Sequence, residues 1–504
     1  MNPLQGLAYG FGVASTPDNF IAALVGSVLG TAIGILPGMS PTVAMALLLI
    51  PTMGMKAETS LIMLGAIYFG TQYGDSMTAI LMGVPSEMAS VVIGMDGHQI
   101  ALKGRAGAAL AVCAVGSFIG ASIGLIGLAT LAGPISEAAL VFGPPEYFAL
   151  TVVGLLVLSR LSNSSLPKAL VALTIGLALT TVGVNSMTGD PRFTFGFVGL
   201  MQGTDLVAVV IGIVGMAEMF QIAARSVGLA PAASFSYREI FPTRREWREA
   251  IPASLRGSVL GFLFGLLPGP TMALSTFASY RVERRLAPDE VGKGAIRAVA
   301  GPKSADDSAI SGHLVPLLAL GVPFSAAAAI LYAGLLLHGV TPGPGLIDEQ
   351  PDIFWGLVAA MYIGNVALLI LNFPLVGMWM SIVRIPQPIL SAILVVLMLI
   401  GAYSIRNSTI DMFTVLIMGV LGYVMKQLGY ERTLVILGMV LGPMLENNFG
   451  RSLEMSGGDL TIFISGPIDL VLYSALLIFL VAPPIRRLMG KRRTATQPEA
   501  VDVP

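Results

Sequence analysis

The sequence predicts an all-α polytopic membrane protein: roughly ten to twelve transmembrane helices in two related halves, each with broken or re-entrant helix motifs. Three observations lead there. Of 504 residues, 55 % are hydrophobic and only 11 % charged, with a mean hydropathy of +0.82; that is too apolar for the surface of a soluble protein of this size. Apolar stretches of the about 20 residues that a spanning helix needs recur along the chain. Finally, a helix-breaking Leu-Pro-Gly interrupts an apolar run twice, in matching surroundings.

In chain order, the N-terminal "MNPLQGLAYGFGVASTPDNF" has no Lys or Arg, so it lacks the basic region of a cleaved leader and is expected to stay attached. "GTAIGILPGMSP" follows at 30–41, then "LMGVPS" at 81–86. Apolar runs near 108–132, 138–159, 167–183 and 204–225 read as crossings of the first half, residues 1–235. The polar stretch "SYREIFPTRREWREAIPASLRG" gives a basic cytoplasmic linker at 236–256, and the second half, 257–485, opens with "GFLFGLLPG" and continues through "LALGVPFS" at 318–325. Further runs near 353–374, 388–404, 410–428, 432–446 and 459–483 precede a basic tail, 486–504. The two Leu-Pro-Gly motifs share their glycine spacing (Gly30, Gly34 and Gly261, Gly265) and are offset by 231 residues; the two Gly-Val-Pro motifs are offset by 238. Duplicated breaks in corresponding places are the best sequence pointer to a substrate site in secondary transporters.

Composition also excludes function classes. The net charge is −1, and no basic cluster interleaved with aromatics suggests nucleic-acid binding. Cys113 is the one cysteine, and His98, His313 and His338 show no ligand spacing, so no metal motif or cofactor is expected. Basic residues are dense in Arg238 to Arg256 and in Arg281 to Arg297. Both flanks of 257–280 therefore read as cytoplasmic, which a re-entrant hairpin turning at Leu267-Pro268-Gly269 satisfies.

Breaks at membrane depth need protein or a watery cavity around them, because an unpaired amide in hydrocarbon costs several kcal/mol. Proline ends the helix and glycine turns the chain. The amides at the start of the next half-helix then carry a partial positive charge suited to an anion. The candidate substrate-contact set is Gly34, Pro37, Gly38, Ser40, Thr42, Tyr73, Ser76, Pro85, Pro268, Gly269, Thr271, Lys303, Ser308, Pro323 and Ser325. Asp75 lies inside an apolar segment, where a carboxylate costs roughly 2.5–3.5 kcal/mol, and is functional by default. In "GPKSADDSAISGH", Lys303 stands three and four residues before Asp306 and Asp307, so helical spacing offers an ion pair with one carboxylate in surplus. Asp75, Asp306 and Asp307 are accordingly expected to handle a coupling ion, Na⁺ or H⁺. An intramembrane aspartyl protease using Asp75 and Asp307 is the enzyme alternative; it would have no use for repeated Leu-Pro-Gly hairpins.

The doubled motif, with "YGDSMTAILMGVPSE", "MDGHQIALKGRAGAAL", "FGPPEYFAL", "RFTFG", "SADDSAISGHLVPLLALGVP", "GVTPGPGL" and "GAYSIRN", resembles the large membrane subunit (TctA family) of the tripartite tricarboxylate transporters over nearly the whole chain. The resemblance implies a non-enzymatic permease of the bacterial inner membrane. It also implies a four-helix small membrane subunit and a periplasmic solute-binding protein as partners, and a small organic acid imported on an ion gradient. The chain departs from the family pattern at Asp75, where the family has Gly, at Gly83 (Asn), at Ser86 (Gly), at Lys303 (Glu), at Asp306 and Asp307 (Asn) and at Phe324 (Gly). These departures cluster in the expected site. They leave the identity of the substrate open; the alternative within transport is a stand-alone ion-coupled carrier of the same architecture that works without a binding protein.

Overall fold

The computed structural model describes residues 2–36, 39–162, 164–185, 188–224, 241–382 and 387–494. Among these the chain is helical throughout, apart from one antiparallel pair of two-residue strands, Gly183–Val184 and Pro191–Arg192, with Gly183 opposite Arg192. Six described helices are long and apolar enough to cross a membrane, and five shorter apolar helices accompany them. The expected ten to twelve crossings are thus not all single long helices, because proline and glycine divide several apolar runs into half-length pieces.

Two hairpins with long partner helices form the centre. Helix Pro17–Gly34 ends before the first Leu-Pro-Gly, and Pro41–Thr52 restarts after it. The long helix Ala57–Met82 follows, breaks at Gly83, and resumes as Met88–Ile100. Later in the chain Arg244–Gly265, Thr271–Leu286, Arg297–Leu320 and Ala326–Leu337 run in the same order. Sequence dictates each start and stop: Ser40 and Ser325 cap their helices by accepting from Val43 and Ala328 amides, Pro41 sits at the first helical position, and left-handed Gly83 and Gly321 terminate the long helices.

Close approach of backbones holds each hairpin to its long helix. A Cβ added at Gly26, Gly30 or Gly34 would fall less than 3 Å from the carbonyl oxygens of Met63, Ile67 and Thr71; one at Gly257, Gly261 or Gly265 would meet those of Gly301, Ala305 and Ala309 equally closely. With apolar lipid all around, such small-residue contact and the dispersion it permits are what drive helix association. Ala106–Ala139 lies against Arg297–Leu320, and Pro351–Ile382 against Ala57–Met82. Buried Asp96 accepts from the amides of Gly294 (2.7 Å) and Ala295 (2.8 Å) and from the Tyr280 hydroxyl (2.9 Å), tying Met88–Ile100 to the end of the second hairpin.

The stretch read from sequence as a linker up to residue 256 is helical from Arg244 onward, because Thr243 and Glu246 form a capping box and the helix runs unbroken to Gly265. Its charges are matched by the rest of the fold: Arg256 pairs with Glu283 of the returning arm at 2.7 Å, and Glu246 binds Arg105 in a two-pronged pair. Residues 225–240 and Pro37-Gly38 lie outside the described residues.

Candidate functional site

Every helix restart described above opens onto one cavity of about 340 Å³. Its lining takes Ser40 and Thr42 from the first hairpin, Ser86 to Ala89 from the first Gly-Val-Pro break, Gly269 to Ala273 from the second hairpin, and Phe324 to Ala327 from the second break. Tyr68 and His313 close it from the long helices, and Leu158, Ser162, Val214, Arg432 and Leu437 from the periphery. Four half-helices thus aim their N-termini at a common volume. Their unsatisfied amides and the positive ends of their dipoles favour an anion there. At the opposite, C-terminal ends, the Gly83 and Gly321 amides bond back to Ala79 and Leu317 at 3.1 and 3.0 Å, so the carbonyl ends of the long helices are closed within the protein. Gly269 has φ of +124° at the hairpin tip, a conformation a side chain would strain.

The polar walls are built by pairing. His313, 1 % exposed, has Nε2 2.6 Å from Thr271 Oγ1; Tyr68 donates to Met272 Sδ at 3.6 Å. Arg432 reaches Glu218 at 3.4 Å, and Glu218 also pairs with Lys426 at 3.0 Å.

Of the residues singled out from sequence, Ser40, Thr42, Gly269, Thr271 and Ser325 line the cavity. Pro85, Pro268 and Pro323 each immediately precede a lining residue. Gly34 packs on Thr71, Tyr73 is buried, and Ser76 bonds its own helix at Gln72 O; Ser308 is buried behind the wall. Pro37 and Gly38 fall outside the described residues. Sequence reasoning missed Tyr68, Glu87, His313 and Arg432, which stand in the lining.

The charged residues form a second layer. Lys303, Asp306 and Asp307 are fully buried, with Lys303 Nζ 2.9 Å from Asp307 and 3.5 Å from Asp306. Gln72 Nε2 donates to both Asp306 oxygens, at 3.0 and 3.1 Å. Asp75 accepts instead from the Ser86 amide (2.7 Å) and the Ser90 hydroxyl (2.5 Å), bridging the first break. Lys303 is occupied by these carboxylates and by Gln72 O, and it lies outside the lining.

An all-helical, multi-pass bundle whose broken helices converge on one cavity is the architecture of a membrane transporter, and the family this chain matches is a transporter family, not an enzyme family. Residues 20–437 match the Tripartite tricarboxylate transporter TctA family, and the chain belongs to it. It is 41 % identical over 495 residues to the "Uncharacterized 52.8 kDa protein in TAR-I ttuC' 3'region" of Agrobacterium vitis, covering 96 % of this chain and 98 % of that one. It is also 42 % identical over 234 residues to the "Uncharacterized protein in TAR-II ttuC' 3'region" of the same organism, covering 46 % of this chain and 97 % of that protein. No solved structure matches.

Proposed function

We propose that this chain is the large permease subunit of a tripartite importer, and that it carries a small organic acid with one or more carboxylates across the bacterial inner membrane on an ion gradient. The observation that carries the reading is the meeting of four helix N-termini, with Ser40, Thr42, Thr271, Ser325 and Arg432, around a cavity the size of a small organic acid. Ser40, Thr42 and Thr271 offer hydroxyls to the anion, and the half-helix amides offer N–H groups. Asp75, Asp306 and Asp307 handle the coupling Na⁺ or H⁺ from the layer behind, since a bare carboxylate at contact distance would repel the substrate.

The same reading takes the two halves as inverted copies. Its support is the double offset: hairpin glycines Gly26, Gly30 and Gly34 correspond to Gly257, Gly261 and Gly265, and their partners Met63, Ile67 and Thr71 to Gly301, Ala305 and Ala309. Each set repeats the spacing of the sequence motifs. A four-helix small membrane subunit and a periplasmic binding protein complete the system, as membership of the family supports. The test is reconstitution with the small subunit into liposomes, followed by uptake of labelled citrate, tartrate and succinate with and without the binding protein. Saturable, ion-dependent accumulation that appears only with the binding protein is expected. Full uptake without it would leave a stand-alone carrier, and no uptake of any organic acid would end the reading.

A further inference from the structure

We propose that Arg432 decides which acids the cavity accepts: it leaves Glu218 to grip a second carboxylate of the solute, so the site selects acids with two carboxylates over those with one. The proposal rests on reading the cavity as the transport site. Among the described residues Arg432 is the one arginine or lysine in the lining, and its side chain is 16 % exposed. Its present contacts are loose. Among the described residues, Nη2 donates to Glu218 Oε2 and Nη1 to the Ile213 carbonyl, each at 3.4 Å, beyond the about 2.7–3.2 Å of an ordinary N–H···O bond. Ile213 belongs to the π-helical turn Ile211–Met216, an irregularity frequent at functional sites. Glu218 does not depend on Arg432 for its charge. Lys426 Nζ donates to both Glu218 oxygens at the shorter distances of 3.1 and 3.0 Å. When Arg432 turns to the solute, the buried Glu218 carboxylate keeps its ammonium partner, and the exchange strands no charge.

Charge in the lining points the same way. Each helix N-terminus is equivalent to roughly +0.5 of an elementary charge, so the four that meet here supply about +2. The carboxylates of Glu87 and Glu431, both in the lining, offset that. Arg432 supplies the surplus. The buried carboxylates of Asp75, Asp306 and Asp307 behind the wall outnumber the Lys303 ammonium, which makes the one lining cation weigh more. The half-helix amides and the Thr271 hydroxyl hold one carboxylate of the solute. A second needs a cation of its own, and the planar guanidinium meets it with two parallel N–H donors. Glu431 sharpens the choice. It stands next to Arg432 in the chain and in the lining, accepts from the Thr433 hydroxyl at 3.1 Å, and repels any carboxylate that Arg432 does not neutralise.

The experiment measures how well added acids protect Ser162→Cys, a position in the same lining, from a maleimide in the full chain in lipid nanodiscs. The probes are succinate and tartrate, each compared with its monoamide, which has the same length and one carboxylate fewer. In the Ser162→Cys parent the diacid is expected to protect at a concentration at least about tenfold lower than its monoamide, the equivalent of one charge-assisted hydrogen bond. Adding Arg432→Gln should erase that ratio by raising the concentration of diacid required and leaving that of the monoamide in place. A parent that does not distinguish the two probes, a ratio that the substitution leaves unmoved, or an equal loss for both probes overturns the proposal. If Arg432→Gln does not fold, Arg432→Lys decides: a point charge without the fork should shrink the ratio severalfold, and an unmoved ratio overturns the proposal there too. Protection with a ratio that Arg432 does not set removes this proposal alone and leaves the transport site in place, whereas a parent that neither diacid protects removes both.

Discussion

Asp75 is fully buried in the long helix Ala57–Met82, and the fold gives it two donors from the segment that follows, the Ser86 amide and the Ser90 hydroxyl. It both closes the first break and adds to the negative charge behind the cavity. Asp75→Asn keeps the volume and removes the charge; it is expected to alter the ion dependence or pH profile of uptake more than the choice of solute, which competition assays would read. A changed solute preference at unchanged ion stoichiometry would place Asp75 in the substrate pocket. Away from the membrane core, Arg105 holds the Glu246 carboxyl down, from an ordinary value of 4.5 to about 2. A depressed carboxylate contributes its stability in full above its unfolded value and loses it as pH falls toward the folded one. Thermal melts of wild type and Glu246→Gln should therefore differ by a constant amount at neutral pH and converge only as the pH falls from about 4.5 to about 2. The Lys303–Asp306–Asp307 group was legible in sequence because it lies within one helical turn. Glu87, His313 and Tyr68 were not, because what makes them lining residues is the meeting of elements far apart in the chain, and Glu87 sits at a helix N-cap without the usual capping side chain.

At the level of elements, the breaks were readable because proline and left-handed glycine leave few alternatives to a helix end. The hairpin arms were harder to bound. Arg244–Gly265 begins with charges that resemble a solvated linker, and only the partners Glu283 and Arg105, distant in sequence, show those charges to be matched. The hairpin contacts invite a direct comparison. Gly261→Leu drives a side chain into the Ala305 carbonyl and is expected to push the second hairpin off its long helix, lowering the melting temperature and abolishing uptake. Overpacking of this kind typically costs about 1–3 kcal/mol, occasionally more. Gly133→Ala, in a helix where nothing lies within 4 Å of an added Cβ, should leave stability equal or raise it by about 0.5–1 kcal/mol. Equal behaviour of the two variants in a thermal-shift assay would refute backbone contact as the force that holds the hairpin.

For the whole molecule, orientation and access join the cavity to the direction of transport. The basic ends of the helices gather on one face: Arg105 meets Glu246 there, and Pro144–Leu161 returns toward it after Ala106–Ala139 has crossed. Charge bias predicts that this face is the cytoplasmic one. Ser162 lines the cavity beside the tip of the second hairpin, where Leu161 meets Gly269, whereas Phe195, 81 % exposed, follows the 15-residue helix Leu166–Thr180, which is about 22 Å long at 1.5 Å per residue. Ser162 thus reports on the cavity and Phe195 on the outer surface of the bundle. Cys113 is buried, so the native chain gives a quiet background for labelling single introduced cysteines. A membrane-impermeant maleimide should modify Phe195→Cys in intact cells, and citrate or another carried acid should protect Ser162→Cys but not Phe195→Cys. Failure of Phe195→Cys to react in intact cells would reverse the orientation, and failure of every carried acid to protect Ser162→Cys would separate this cavity from the transport path.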